Sequence, residues 1–310
     1  MERVRKQIGL TEAEAALQKG KSYSSPRVVV AVLDTGAAPH PDIRENIIYF
    51  KDFVGSSTTM YDDNSHGTHI CGILCGNGKL SDGKYRGISA ECDLVVCKVL
   101  NHKGDGTAKT MVKALEFLQR YRRQLDIRIV NISVGIGDLK DPDMESELKR
   151  LTESLWKDRV LVVCAAGNKG PADGSISSLC NSNKVITVGC HDGEYFKDKK
   201  ERCELRSGRG NKYDFIRKPD IVAPGTKIIS CHNHWESYRN DKNSAYIEKS
   251  GTSMATPIIS GCAALLLAKE PWLSPDQVKE RILYTASDLG ESWNKQGWGM
   301  INAQRLLENY

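Results

Sequence analysis

Residues 28–36 read VVVAVLDTG, an unbroken apolar run that ends in an aspartate, a threonine and a glycine. A strand with one wet face alternates apolar and polar residues, whereas this run has no polar position before Asp34. It therefore predicts a central strand of a parallel sheet, covered on both faces. Sites in parallel α/β sheets lie beyond the carboxyl ends of the strands, and Asp34 stands at such an end.

Further apolar segments alternate with helical patterns along the chain. Strands are predicted at 28–33, 93–99, 127–134, 160–165, 185–188 and 228–230. Apolar spacing predicts helices around 111–118 and 144–157, and Ser274 with Gln277 reads as a capping box that begins another helix. Strands that alternate with helices indicate βαβ units. The predicted fold class is α/β, a single domain with a mainly parallel central sheet and helices on both faces.

The composition is that of an ordinary globular chain, with 310 residues, 40% of them hydrophobic and 27% charged. A net charge of +5 is too small to indicate a nucleic-acid partner. The longest apolar run, Cys262–Ala268, is far shorter than the ~20 residues that cross a bilayer, and the charged start is unlike a secretory signal. No CxxC pair occurs among the ten cysteines, which favours reduced thiols and a cytoplasmic location.

A second polar motif, NSHGTH, occupies residues 64–69. Two histidines three residues apart could bind a metal, but the glutamate of an HExxH zinc motif is missing. We therefore interpret His66 as a single active-site imidazole and His69 as its structural partner.

A third motif, SGTSMATP, occupies residues 250–257 and precedes a long apolar helical stretch. Ser253 is predicted at the start of that helix, where backbone N–H groups face whatever the hydroxyl attacks. A serine hydroxyl is a poor nucleophile without a base and a group that orients the base. Asp34, His66 and Ser253 supply this set in the chain order Asp, His, Ser, which is the order found in subtilisin.

The three motifs DTG, HGTH and GTSMATP closely resemble those of the subtilisin-like serine proteases, the subtilases. The resemblance extends over about residues 28–307. The loop at residues 76–87 resembles that of AprX-type intracellular bacterial subtilases more than that of secreted subtilisin. The resemblance as a whole implies a subtilisin-like peptidase domain over residues 28–310, preceded by an N-terminal extension over residues 1–27.

The resemblance also implies the roles of individual residues. Asp34, His66 and Ser253 would form the catalytic triad of an endopeptidase that works through an acyl-enzyme, and Asn168 would donate its amide to the oxyanion. A peptide or protein substrate would lie as an added strand between two segments. These are Ser133, Val134 and Gly135 on one side and Gly104, Asp105 and Gly106 on the other. Lys169 would lie at the rim of the pocket for the side chain before the scissile bond.

Many secreted subtilases hold structural calcium in the loop after the catalytic histidine helix. Here that loop is longer and differently composed, so no cofactor is expected and no metal site is assigned, while structural calcium stays open as a possibility.

Three alternatives remain open at this stage. A catalytically silent pseudoprotease would bind peptides without cleaving them. A sedolisin-like acid peptidase would carry glutamate in place of His66 and aspartate in place of Asn168. A serine esterase or amidase would use the same nucleophile, although the paired substrate segments favour peptides.

Overall fold

A parallel sheet is the centre of the computed structural model, which describes residues 1–11, 13, 27–134, 141–198, 200, 202–211, 213, 216–238 and 242–308. Within these residues the strands are β1 Val29–Asp34, β2 Ile47–Asp52, β3 Asp93–Lys98, β4 Ile127–Ile132, β5 Leu161–Ala165, β6 Ile186–Cys190, β7 Ile221–Ala223, β8 Ile228–Cys231 and β9 Tyr246–Lys249. The first seven form one parallel sheet in the order β2-β3-β1-β4-β5-β6-β7. The predicted α/β fold with a parallel central sheet is confirmed.

The first strand is buried along its whole length, as its apolar sequence requires. It lies between β3 and β4, so Asp34 at its carboxyl end is level with Lys98 at the end of β3. The loops that follow β3 and β4 therefore flank Asp34 on two sides, which fixes the edge of the sheet where the candidate site lies.

Helices form the layers that cover the sheet. They are α1 Glu2–Gln7, α2 His66–Cys75, α3 Ala108–Tyr121, α4 Pro142–Lys157, α5 Thr252–Lys269, α6 Pro275–Tyr284, α7 Trp293–Gln296 and α8 Ala303–Leu307. One layer contains α2 packed on α5, and α5 also contacts β4 to β7; the other contains α3 packed on α4. The predicted capping box at the start of α6 is present in full.

The long helix α5 begins at Thr252 and contains Pro257 in its second turn. Proline has no N–H, so the carbonyl of Ser253, four residues earlier, lacks its usual helical partner.

The helix α5 is also long and apolar enough to cross a membrane by length and composition alone, a test that buried core helices also pass. Within the protein, 78% of this helix is buried.

Four strands depart from the sequence prediction, and one of them, β9, was not predicted at all. Residues 228–230 do form a strand, β8, but it pairs antiparallel with β9 in a separate two-stranded sheet. The edge strand β2 was not predicted because it is largely exposed and mixes apolar and polar residues. The strand β7 has only three residues, too few for a recognisable pattern.

The prediction of reduced thiols throughout is wrong for one pair of cysteines. Eight of the ten cysteines are free and buried, whereas Cys190 and Cys203 form a disulfide with their Cα atoms 6.0 Å apart. Cys190 ends β6 and Cys203 begins a short 3₁₀ helix. No cysteine spacing motif in the sequence predicts this pair, because the fold, and not the local sequence, brings the two sulfurs together.

The N-terminal segment packs on the same core as the sheet. Val4 and Ile8 are buried in the main hydrophobic cluster. The Arg3 guanidinium forms an ion pair with Asp192 at 3.0 Å and donates to the Thr226 carbonyl at 2.6 Å. The predicted extension over residues 1–27 therefore contributes to the packing of the domain through its first helix.

A buried charge cluster generates a prediction about stability. Lys218, only 1% exposed, donates to Asp220 at 2.6 Å, and Lys279 contacts the other oxygen of the same carboxylate at 2.8 Å. The substitution Asp220→Asn leaves both ammonium groups without their anion. Removal of one member of a buried pair typically costs about 3–5 kcal/mol. We expect a loss of that order in the free energy of unfolding, measured by urea denaturation followed by circular dichroism.

The control is Glu147→Gln, which breaks the solvent-facing ion pair between Glu147 and Arg150 on α4. Its unfolding midpoint should stay within experimental error of the parent value. An Asp220→Asn variant as stable as this control would contradict the assigned role of the cluster.

Candidate active site

The carboxylate of Asp34 and the imidazole of His66 are in direct contact. Asp34 ends β1 and His66 begins α2, and the distance from Asp34 Oδ1 to His66 Nδ1 is 2.7 Å. The same carboxylate oxygen accepts the backbone N–H of Thr35 at 2.8 Å. A carboxylate can only accept, so Nδ1 carries the proton and Nε2 keeps a lone pair available as a base.

Two glycines allow β1 and α2 to approach so closely. A Cβ at Gly36 would lie 2.1 Å from the Tyr61 carbonyl oxygen, and Gly36 has a φ of +114°. A Cβ at Gly67, the residue after His66, would lie 2.0 Å from the Gly36 carbonyl oxygen. Any side chain at either position would separate Asp34 from His66, which explains the glycines in both motifs.

The buried carboxylate of Asp62 organises the start of α2. Its Oδ1 accepts the Thr35 hydroxyl at 2.9 Å and the backbone N–H of Ser65 at 3.0 Å, and its Oδ2 accepts the Thr68 hydroxyl at 2.6 Å. Burial alone would raise the pKa of Asp62, but the hydrogen bonds from Thr68, Asn64 and Thr35 outweigh it and lower the pKa. Asp62 therefore ties the DTG turn to the histidine helix.

Sequence reasoning missed both Asp62 and a buried lysine beside it. Lys98 is 1% exposed and donates to the Thr35 carbonyl at 2.6 Å, to Asp63 at 2.7 Å and to the Leu100 carbonyl at 2.9 Å. A lysine within the apolar run of β3 was the available signal. For Asp62 the signal was its position two residues before Asn64 and three before Ser65, just ahead of the helix. An aspartate at this spacing typically accepts hydrogen bonds from the backbone N–H groups at a helix start.

The electrostatic surroundings of His66 favour its protonated form overall. Burial lowers the pKa of the imidazole, but the charge of Asp34 and the hydrogen bond to it raise the pKa more strongly. Lys249 acts in the lowering direction and Asp62 in the raising direction. His66 is only partly exposed, so its titration is governed by these neighbours.

His69 has the structural role that was expected of it. Its Nε2 lies 3.0 Å from the carbonyl oxygens of Ile228 and Ile247, so it donates to both strands of the β8–β9 hairpin. Burial lowers the pKa of His69 to about 3, which keeps the ring neutral. His69 thus fixes the hairpin to α2, one turn after His66.

Ser253 and Asn168 are brought together at the start of α5. Ser253 is the second residue of the helix, where backbone N–H groups have no partner within the helix. Asn168 follows β5 and accepts at Oδ1 from the backbone N–H of Thr252 at 3.1 Å and from its hydroxyl at 3.2 Å. With Oδ1 held in this way, the amide NH₂ of Asn168 remains for another acceptor.

The structure gives two separate contacts rather than one continuous chain. Asp34 meets His66, and Asn168 meets the residue before Ser253. Among the described residues no hydrogen bond joins His66 to Ser253, although their helices α2 and α5 pack on each other.

The predicted substrate segments flank this edge of the sheet. Gly104, Asp105 and Gly106 are exposed in the loop after β3, and Asn64 joins that loop to the histidine motif through a 2.9 Å hydrogen bond to the His102 carbonyl.

On the other side, after β4, Ser133 is fully buried and Val134 is half-buried, whereas Gly135 lies outside the described residues. Lys169 is exposed beside Asn168. The hydroxyl of Ser133 accepts from the Asn131 amide at 2.8 Å and lies in the protein interior.

Two groups of buried side chains in the described residues have donor atoms close enough for a metal ion: His40, Asp42 and Cys231, and Cys190, Asp192 and Cys203. Asp42 adjoins the loop after α2, but its two oxygens already accept from the Leu80 N–H at 3.0 Å and the Tyr246 hydroxyl at 2.6 Å. The sulfurs of Cys190 and Cys203 are joined to each other. Neither group fits a calcium ion, which binds several oxygen ligands that are free of other partners.

Comparisons with known proteins identify the family of this chain. Residues 25–299 match the Subtilase family, peptidase S8. The chain is 39% identical to the serine protease AprX of Bacillus subtilis (strain 168), over 96% of this chain and 70% of AprX. It is 29% identical to subtilisin DY of Bacillus licheniformis, over 97% of this chain and 98% of that protein.

The solved structure of sphericase superimposes with a TM-score of 0.75 at 26% identity, over 94% of this chain and 97% of that chain. The family match extends over most of the sequence and spans the positions of all three motifs, and the fold is the same. The chain therefore belongs to the subtilase family and is a serine endopeptidase.

Proposed function

We propose that Asp34, His66 and Ser253 act as the catalytic triad of this endopeptidase, with Asn168 as an oxyanion donor. The observation that carries the proposal is the 2.7 Å contact between Asp34 Oδ1 and His66 Nδ1. This contact leaves Nε2 as the basic nitrogen and holds the ring at the edge of the sheet that α5 also reaches. We propose that the hydrogen bond from the Ser253 hydroxyl to Nε2 forms when substrate binds.

The chemistry follows from these positions. His66 Nε2 takes the proton of the Ser253 hydroxyl as its oxygen attacks the scissile carbonyl, and Asp34 stabilises the imidazolium that forms. The Ser253 N–H and the Asn168 amide donate to the oxyanion. His66 then gives the proton to the leaving amine, which departs and leaves an acyl-enzyme. Water, deprotonated by His66, hydrolyses the acyl-enzyme and restores the serine.

The substrate is a peptide or protein chain, as for proteases in general. We propose that its backbone lies between the loop with Gly104, Asp105 and Gly106 and the segment with Ser133, Val134 and Gly135. These loops follow β3 and β4, the two neighbours of β1, so a strand between them passes the end of Asp34.

The cytoplasmic location stays a prediction. The eight free cysteines are buried, and burial raises the pKa of Cys71 and Cys231 well above its ordinary value. Buried, protonated thiols resist oxidation in any compartment, so they do not by themselves specify one.

The relatives of this chain include the subtilisins, and the pseudoprotease alternative gains no support from the comparisons.

The first prediction concerns the nucleophile. Ser253→Ala should reduce peptide hydrolysis to background while the far-UV circular dichroism spectrum is unchanged, because the side chain is lost without a change in packing. A serine-directed fluorophosphonate should label the parent protein at Ser253, identified by mass spectrometry of the digest. The control Ser56→Ala, at an exposed loop serine, should keep both activity and labelling. Labelling at another serine would overturn the assignment.

A second prediction concerns the oxyanion donor. Asn168→Ala should lower kcat with little change in KM, because the lost hydrogen bond acts on charge that develops in the transition state. The known cost of removing such a donor from subtilisin is roughly 10²–10³-fold in kcat, and a decrease of that order is expected. Asn183→Ala, at an exposed asparagine, is the control. An effect confined to KM would contradict the role.

A third prediction concerns the side chain before the scissile bond. Family resemblance places exposed Lys169 at the rim of its pocket, where a cation favours neutral or acidic side chains over basic ones. Asp105, on the opposing segment, would attract a basic side chain further upstream. Lys169→Glu should change the ratio of kcat/KM for acidic and basic substrates by roughly two- to fivefold at low salt, and less at high salt. An unchanged ratio at low salt would exclude Lys169 as a determinant of specificity.

A further inference from the structure

The β8–β9 hairpin carries a lysine to the junction between the histidine helix and the nucleophile. His69 holds both strands through the carbonyls of Ile228 and Ile247, each 3.0 Å from Nε2. Lys249 pairs with Ile228 across the ladder and lies on the same face of β9 as Ile247. His66 stands one helical turn before His69, and Ser253 follows Lys249 by four residues. The ladder and the contacts of His69 therefore place Lys249 beside the helix that begins with His66.

The residue Lys249 is half-buried, and among the described residues no side chain or carbonyl forms a hydrogen bond or ion pair with its ammonium. Lys98 offers a contrast, since its ammonium is held by two carbonyls and the Asp63 carboxylate. An ammonium held by such acceptors has much of its field compensated locally. The field of Lys249 instead acts on its surroundings, which include the carboxylates of Asp34 and Asp62.

The other titratable groups near this junction add little charge. Burial lowers the pKa of His69 to about 3, and burial followed by the nearby His234 lowers the pKa of His232. Both rings are therefore neutral at neutral pH. The charges that act on His66 are those of Asp34 and Asp62, which favour the imidazolium, and that of Lys249, which opposes it.

We propose that Lys249 acts through His66: its unpaired ammonium opposes the Asp34 carboxylate at the imidazole and so extends peptide hydrolysis to lower pH. The inference rests on the proposed role of His66 as general base. When an adjacent carboxylate strongly stabilises the protonated form of a histidine, the ring remains protonated at neutral pH and cannot act as a base. A neighbouring cation releases the proton earlier while Asp34 still fixes the tautomer and orientation of the ring.

The sign of the effect is definite. His66 is an active base only above its pKa, and Lys249 lowers that pKa through its charge. Replacement of Lys249 by an uncharged residue should therefore move the acidic limb of the kcat/KM profile to higher pH. For a charge pair near the surface we expect a displacement of roughly half a pH unit, and about a threefold loss of kcat/KM on the acidic limb.

The test compares Lys249→Met, Lys249→Arg and the control Lys113→Met, which removes an exposed lysine from α3. The kcat/KM of an uncharged peptide is measured between about pH 5 and 9 at low and high salt. We expect the acidic limb to move upward only in Lys249→Met, and the difference from the parent to shrink at high salt. The retained charge in Lys249→Arg should preserve the parent profile.

A second readout is independent of hydrolysis. In a Ser253→Ala background, the titration of the His66 ring protons by NMR should show the same upward movement when Lys249→Met is added. Identical titration with and without Lys249→Met would overturn the proposal, as would an equal displacement in Lys249→Arg, which would indicate shape and not charge. Failure of the triad itself would appear differently, as full activity in Ser253→Ala.

Discussion

The end of β1 is fully buried, so its polar groups need hydrogen-bond partners within the protein. The hydrogen bonds to the carboxylate of Asp62 are the interactions on which the rest of the site depends. Three backbone N–H groups at the start of α2 and the hydroxyls of Thr35 and Thr68 all converge on its two oxygens. A buried carboxylate with so many donors stays ionised and rigid, since loss of any donor would expose an uncompensated charge. The Asp34–His66 contact therefore depends on a second aspartate that takes no part in the chemistry.

The lysines of this protein differ in how their charge is compensated. Lys98 and Lys218 are buried and have carbonyl or carboxylate acceptors within 3 Å, as the cost of burying an ammonium requires. Lys249 is only half-buried and has none among the described residues. Water still solvates part of Lys249, which lowers the cost of burying its charge. The electric field of the ammonium then acts on the imidazole of His66. Partial exposure is thus what allows a lysine to influence its neighbours without being neutralised by them.

Much of the fold followed from the sequence because parallel strands buried on both faces are continuous apolar runs, as at residues 28–33. The exposed edge strand β2 and the three-residue β7 escaped because their burial depends on neighbours far away in the chain. The motif residues Asp34 and His66 were predictable by chemistry and resemblance. The capping pattern at Asp62 gives no indication of its contact with the DTG turn, and a lysine in a short strand is an ordinary surface residue until the hairpin and α2 are placed together.

The same hairpin explains how the loop after α2 is held without a metal ligand set among the described residues. Tyr246 at the start of β9 donates to Asp42, whose other oxygen accepts from Leu80 in that loop. Burial, followed by the hydrogen bond to Asp42, raises the pKa of Tyr246, so its hydroxyl remains a donor across the whole working range of a protease. Three residues further on, the same strand contains Lys249, whose charge acts on His66. One short strand therefore secures the loop, seats the histidine helix through His69 and sets the charge beside the base, so a shift of β9 would disturb stability and catalysis together.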